Sequence, residues 1–175
     1  MTAGSVGDWG ETRSKIVEWH DPALAATVAS TRTGLEFIRG IRDGEIPPPP
    51  IAKLFGLEIR DVEPGRVVFV CEPDESAYNP IGTVHGGLVC TLADTVTACA
   101  VHTTLDLGVS YTSVDLNVSY LRPVTKESGM LTATGKVTKP GRKVAFSSAE
   151  IFDAAGKLVA TATSSCLVIH PPKDL

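Results

Sequence analysis

Residues 86–103, GGLVCTLADTVTACAVHT, form the one long stretch of the chain that is apolar without alternating. Its small residues and its length favour a buried helix over a strand, since strands seldom run beyond eight residues. Everything after it alternates. Stretches 110–121, 130–138, 143–153 and 156–169 are rich in β-branched residues and are punctuated by Gly129, Pro140-Gly141 and Ala155-Gly156, so they read as strands, the last three forming an antiparallel meander. In 113–120 the period-two reading puts Val114, Leu116, Val118 and Tyr120 on one face and Ser113, Asp115, Asn117 and Ser119 on the other. Ahead of the helix, 51–62 and 65–72 read as two further strands joined through Glu63-Pro64-Gly65. Two strands, one apolar helix and four strands imply an α+β domain in which an antiparallel sheet curves around a single helix. Such a sheet covers only one side of the helix, and a second copy of the chain is the natural cover for the other.

Residues 1–50 differ in character. They combine a polar start with helix-compatible stretches at 11–20 and 22–42 and close on Pro47-Pro48-Pro49-Pro50, where a helix must stop. Leu24, Val28, Leu35, Ile38 and Ile41 give the prelude a partial apolar face. The expected organisation is an N-terminal helical extension over 1–50, packed on the main domain or on a partner subunit, and one domain over 51–175.

The 175 residues carry 16 basic and 20 acidic side chains, a net charge of −4. No global cationic field exists to hold nucleic acid. No run of about 18 apolar residues is present for a membrane span, and the first residues lack the pattern of a secretion signal, so a cytoplasmic location is expected. Cys71, Cys90, Cys99 and Cys166 contain no Cys-x-x-Cys pair, and His20, His85, His102 and His170 contain no helical ligand spacing. Neither a metal site nor a disulfide framework is expected.

The chemistry concentrates in Asn79-x5-His85-Gly86-Gly87-x6-Asp94. His85-Gly86-Gly87 falls where a loop enters the helix, and the first N–H groups of a helix have no internal acceptor. Glycines let a ligand oxygen approach those donors, and the helix dipole favours negative charge there. Asp94 lies two turns further, among Leu92, Ala93, Val96, Ala98 and Cys99, and a carboxylate is expensive in such company without partners or a task. Between Leu121 and Lys143, the cations Arg122, Lys126, Lys136, Lys139, Arg142 and Lys143 face one anion, Glu127. That is +5 in 23 residues against −9 elsewhere, a field suited to a small polyphosphate rather than to a nucleic-acid track.

This motif and element order, over about residues 51–169, resemble the hotdog-fold acyl-CoA thioesterases of the phenylacetate-degradation and 4-hydroxybenzoyl-CoA branch. The resemblance implies hydrolysis of an acyl-CoA to free acid and CoA, with no cofactor beyond the coenzyme A of the substrate. Gly86 would donate its N–H to the thioester oxyanion, His85 would orient the carbonyl, and Asn79 would position the thioester or the lytic water. Asp94 would act as nucleophile or general base, and Ser113 would orient the water, with Thr112 the alternative should the strand register differ. Gly87, Tyr120, Arg122, Lys139, Gly141, Arg142 and Lys143 are the expected substrate and CoA contacts. The minimal active unit implied is a homodimer, with Asp94 supplied by the second chain, and homotetramers are common among relatives. A hydratase of the same fold places its Asp before its His, the reverse of the order here. A non-catalytic acyl-CoA-binding or sensing protein is the other reading.

Overall fold

A computed structural model describes residues 10–171. Three short helices, α1 (Pro22–Ala29), α2 (Gly34–Arg42) and α3 (Pro50–Phe55), precede strands β1 (Leu57–Glu63) and β2 (Arg66–Cys71). The long helix α4 (Gly86–His102) follows, and then β3 (Ser110–Tyr120), β4 (Leu131–Lys139), β5 (Val144–Phe152) and β6 (Leu158–Ile169). The six strands make one antiparallel sheet in the order β1-β2-β4-β5-β6-β3. α4 lies in its concave face against β2 to β6, which is the hotdog arrangement expected.

The core follows from that wrapping. Leu92, Val96 and Val101 of α4 and Leu131, Ile151 and Val159 of the sheet are all fully buried, each contributing about 1.5–3 kcal/mol of transfer free energy. Gly135 of β4 faces Val96 so closely that a Cβ on it would stand 2.1 Å from the Val96 carbonyl oxygen. Helix and strand therefore meet backbone to backbone at that point. The β1–β2 turn is tied to the far end of α4, where the Gly65 N–H donates to Thr103 Oγ1 at 2.8 Å.

Four expectations for local structure are corrected. Residues 11–20 contain no helix and form no regular secondary structure, with Lys15 Nζ donating to the Leu54 carbonyl at 3.1 Å and to Asp74 Oδ2 at 2.5 Å. Ile16 is 88% exposed, so this stretch has no apolar face to bury, and an isolated helix this short is marginal in water. Residues 51–55 are helical rather than the start of a strand: Pro50 opens α3 at its first position and Gly56 ends it at φ 63°, a combination that defines a one-and-a-half-turn helix. In β3, Ser113 pairs with Cys166 while Asp115 pairs with the adjacent Ser165, so Val114 is the extra residue of a bulge. The phase flips there. Ser113 shares the inner face with Leu116 and Val118, and Val114 is 58% exposed.

The 22–42 stretch forms two helices instead of one. Thr33 breaks it with a capping box, in which its N–H donates to Glu36 Oε2 at 2.9 Å and its Oγ1 accepts from the Glu36 N–H at 3.3 Å. α2 then docks on β1 and on the C-terminal end of α4, with the Gly34 N–H donating to the Leu105 carbonyl at 3.0 Å. Phe37, His102 and Tyr111 stack in a tilted series across that contact, with centroids 5.5 and 5.0 Å apart, and burial pushes His102 down to about 4. Among the described residues no helix is long and apolar enough to cross a membrane.

Candidate active site

The N-terminus of α4 is anchored before the helix begins. The His85 N–H donates to the Ala77 carbonyl at 2.7 Å and the Val84 N–H to the Val124 carbonyl at 2.8 Å. His85 is the N-cap, its Nδ1 accepting from the Gly87 N–H at 2.8 Å. That bond places the ring proton on Nε2 and uses up the Gly87 donor. Leu88 donates to the His85 carbonyl at 3.0 Å, which leaves the Gly86 N–H as the first-turn donor with no acceptor among the described residues. A Cβ on Gly86 would lie 3.0 Å from the Tyr120 ring and hydroxyl. Tyr120 donates to the Gly86 carbonyl at 3.1 Å and lies 2.8 Å from Cys90 Sγ. Its hydrogen bond to Cys90 and then its burial push the phenol up to about 12.

Asn79 organises the loop ahead of this cap. Its Oδ1 accepts from the N–H groups of Ile81 (3.0 Å) and Thr83 (3.3 Å), and its Nδ2 donates to Thr83 Oγ1 at 2.9 Å. The second Nδ2 hydrogen has no acceptor among the described residues. Gly86, Val89, Tyr120 and Arg122 line a cavity of about 340 Å³.

Asp94 opens onto different space. It is half-buried on α4, and its Oδ1 accepts from Ser113 Oγ at 2.9 Å; the bulge at Val114 is what turns Ser113 toward the helix. Ser113, and not Thr112, is the hydroxyl that meets the carboxylate. Asp94 Oδ2 has no hydrogen-bond partner among the described residues. Asp94 lines a cavity of about 520 Å³ that shares no lining residue with the one at Gly86. Burial and then the charge of Asp94 push the neighbouring Cys99 thiol up to about 12, so it stays protonated.

Eight residues of helix separate Gly86 from Asp94, about 12 Å along the axis. Within one chain they cannot act on the same carbonyl. The basic residues divide in the same way: Arg122 is at the Gly86 cavity, whereas Gly141 and Arg142 line a cavity of about 370 Å³ with Thr104 and Leu105 beyond the other end of α4. Lys139 and Lys143 are exposed on the same β4–β5 turn. One chain thus separates the +5 stretch into two groups, roughly a helix length of 25 Å apart. Three residues around the site fall outside the expected set: Cys90, the hydrogen-bond partner of Tyr120, and Cys99 and Tyr111, which line the Asp94 cavity. Cys90 is legible as the residue four after Gly86 on the same helix face; Tyr111 and Cys99 carry no comparable signal.

The fold has counterparts. A family model described as the thioesterase superfamily matches residues 81–160, which include Gly86, Asp94 and Ser113. The chain is 38% identical over 98 residues to human acyl-coenzyme A thioesterase 13, spanning 55% of this chain and 69% of that one. Among solved structures it is similar to a phenylacetic acid degradation-related protein of Ralstonia eutropha, at 35% identity and a TM-score of 0.68, covering 74% of this chain and 97% of that one. It is also similar to the PaaI protein of the E. coli phenylacetic acid degradation operon, at 27% identity and a TM-score of 0.64, covering 69% and 85%. The sheet wrapped on one long helix is thus shared with these proteins, and at this identity and coverage the chain is a member of the thioesterase superfamily.

Proposed function

We propose that the protein hydrolyses an acyl-CoA thioester to the free acid and CoA, at a site completed by two chains. The observation that carries this reading is the pair of half-sites on α4: an unpartnered Gly86 N–H at one point and, about 12 Å away, a carboxylate with one free oxygen. The thioester oxygen docks at Gly86, where the N–H and the helix dipole stabilise the oxyanion. Asp94 of the partner subunit reaches the carbonyl carbon from the other side.

β3 supports the pairing. It is an eleven-residue edge strand, and a long bare edge is a template for another strand. As a base, Asp94 takes a proton from water as the water oxygen bonds to the carbonyl carbon, and the tetrahedral intermediate collapses with loss of the CoA thiolate, which is then protonated. As a nucleophile, the carboxylate bonds to that carbon, expels the thiolate, and water hydrolyses the resulting anhydride. Ser113 holds Asp94 in place for either route, and the free Nδ2 hydrogen of Asn79 is available to the thioester or the water.

Thiol release from short-chain, long-chain and aromatic acyl-CoAs tests the reading. Turnover of at least one class is expected; ligand-dependent thermal stabilisation without thiol release would instead mark a binding protein. Arg122 forms no salt bridge among the described residues and stands beside Gly86, where it serves the CoA phosphates. Arg122→Ala is expected to raise KM by about tenfold with little change in kcat, as loss of one charged hydrogen bond implies. An unchanged KM would remove Arg122 from the site.

A further inference from the structure

The cavity that holds Asp94 is walled on one side by the sheet and α4 and on the other by the segment preceding β1. Ile38 and Ile41 of α2, Pro48 and Pro49, and Ile51 of α3 face Phe69, Ala98 and Tyr111 across it. The charged residues Arg42, Lys53 and Glu58 that also line it are exposed, whereas Ile38, Phe69 and Ala98 are buried, so the rim is polar and the floor apolar. Its volume of about 520 Å³ is in the range that encloses a small-molecule group.

This wall is a fixed part of the structure. The capping box of α2 sets its start, and Gly34 meets α4 so closely that a Cβ would fall 1.7 Å from the His102 carbonyl oxygen. Gly40 is similarly pressed on Ile46, whose side chain is 2% exposed. About a quarter of this chain has no counterpart in the Ralstonia protein, which is itself matched over 97% of its length.

We infer that this cavity receives the acyl group, and that α2, the proline run and α3 select uncharged, apolar acyl groups well beyond acetyl in size. The inference rests on the thioesterase reading above. A short acyl group leaves the apolar floor unfilled and forfeits its burial energy. An ω-carboxyl group is rejected because it would have to shed its water beside Asp94.

The experiment measures kcat/KM for acetyl-, hexanoyl-, decanoyl-, phenylacetyl- and succinyl-CoA with the wild type, Ile41→Trp, Ile51→Trp and Ile41→Ala, and follows each variant's melting temperature. Both positions are partly exposed, so bulk added there tests the cavity rather than the core. The wild type is expected to favour hexanoyl-CoA or longer over acetyl-CoA by tenfold or more, and to discriminate against succinyl-CoA, as differential apolar burial implies. The tryptophan variants should lower the decanoyl-to-acetyl ratio by about tenfold, and Ile41→Ala should raise it. A ratio that stays put in folded variants, or a wild type that favours acetyl- or succinyl-CoA, overturns the inference and leaves the thioesterase reading standing. Absence of thiol release from every substrate overturns that reading and the inference with it.

Discussion

Asp94→Asn is expected to lower thiol release by about 10²- to 10⁴-fold, in kcat and kcat/KM alike, the range seen when a positioned acid–base group is lost. The substitution preserves size, and an amide oxygen still accepts the 2.9 Å bond from Ser113 Oγ, so the melting temperature should move little. What disappears is the negative charge on the atom left free for chemistry. A decisive extension uses two inactive chains. Gly86→Val drives a side chain into Tyr120, already 3.0 Å from the position of a Cβ, and spoils the oxyanion end while leaving Asp94 intact. Mixing Asp94→Asn with Gly86→Val chains makes heterodimers in which one site has a native Gly86 from one chain and a native Asp94 from the other. A random mixture should recover about a quarter of wild-type activity, because half the dimers are mixed and each has one competent site. If no activity returns, the two groups act within a single chain, and the 12 Å separation along α4 would have to be bridged by a rearrangement of the helix.

The parts of this site that were legible in the sequence are those that depend on local rules. The apolar run 86–103 has only one way to be buried, and His85, Gly86 and Asp94 take their places from it: the cap, the first turn and a point two turns on. The order of strands followed from alternation and turn residues for the same reason. Ser113 was harder, because strict alternation set it opposite Leu116; the bulge at Val114 that reverses this is a tertiary adjustment of β3 against β6 with no glycine to announce it. Residues 51–55 show the other side of the problem. IAKLF fits a strand or a helix, and the deciding signals were Pro50 before it and Gly56 after it. The basic stretch was contiguous in sequence yet is divided between the two ends of α4, since a hairpin carries Arg142 a helix length away from Arg122. The cavity around Asp94 was the least legible feature. It joins α2 and α3 to α4 and β3, and an apolar helix face of the 1–50 segment says that something is covered without saying what.

Gly135→Ala is expected to destabilise the protein by about 3 kcal/mol, the upper part of the usual range for overpacking. β4 is an interior strand, and Gly135 pairs with Val67 of β2 on one side and with Ala149 of β5 on the other. A Cβ there would stand 2.1 Å from the oxygen and 2.4 Å from the carbon of the Val96 carbonyl. Those are backbone atoms in the middle of α4, so no side-chain rotation relieves the clash. Either the helix lifts from the sheet, opening space beneath the fully buried Leu92 and Val96, or β4 bends away from its ladder. The entropic gain of alanine over glycine in the unfolded chain, about 0.4–1 kcal/mol, is too small to offset this. For a chain of this size the change corresponds to a fall in melting temperature of roughly 6–12 °C, readable by calorimetry or by a urea transition of unaltered slope. Gly34→Ala supplies the contrast. Its Cβ would collide with the His102 carbonyl oxygen at 1.7 Å, but that contact is at the last residue of α4 rather than midway along it, so less core packing is disturbed and the global cost should be smaller. If Gly135→Ala instead melts within about 1 °C of the wild type, a shift well below one kcal/mol, then α4 and β4 do not meet backbone to backbone, and the position of Asp94 relative to the sheet, on which the site depends, is different from the one described.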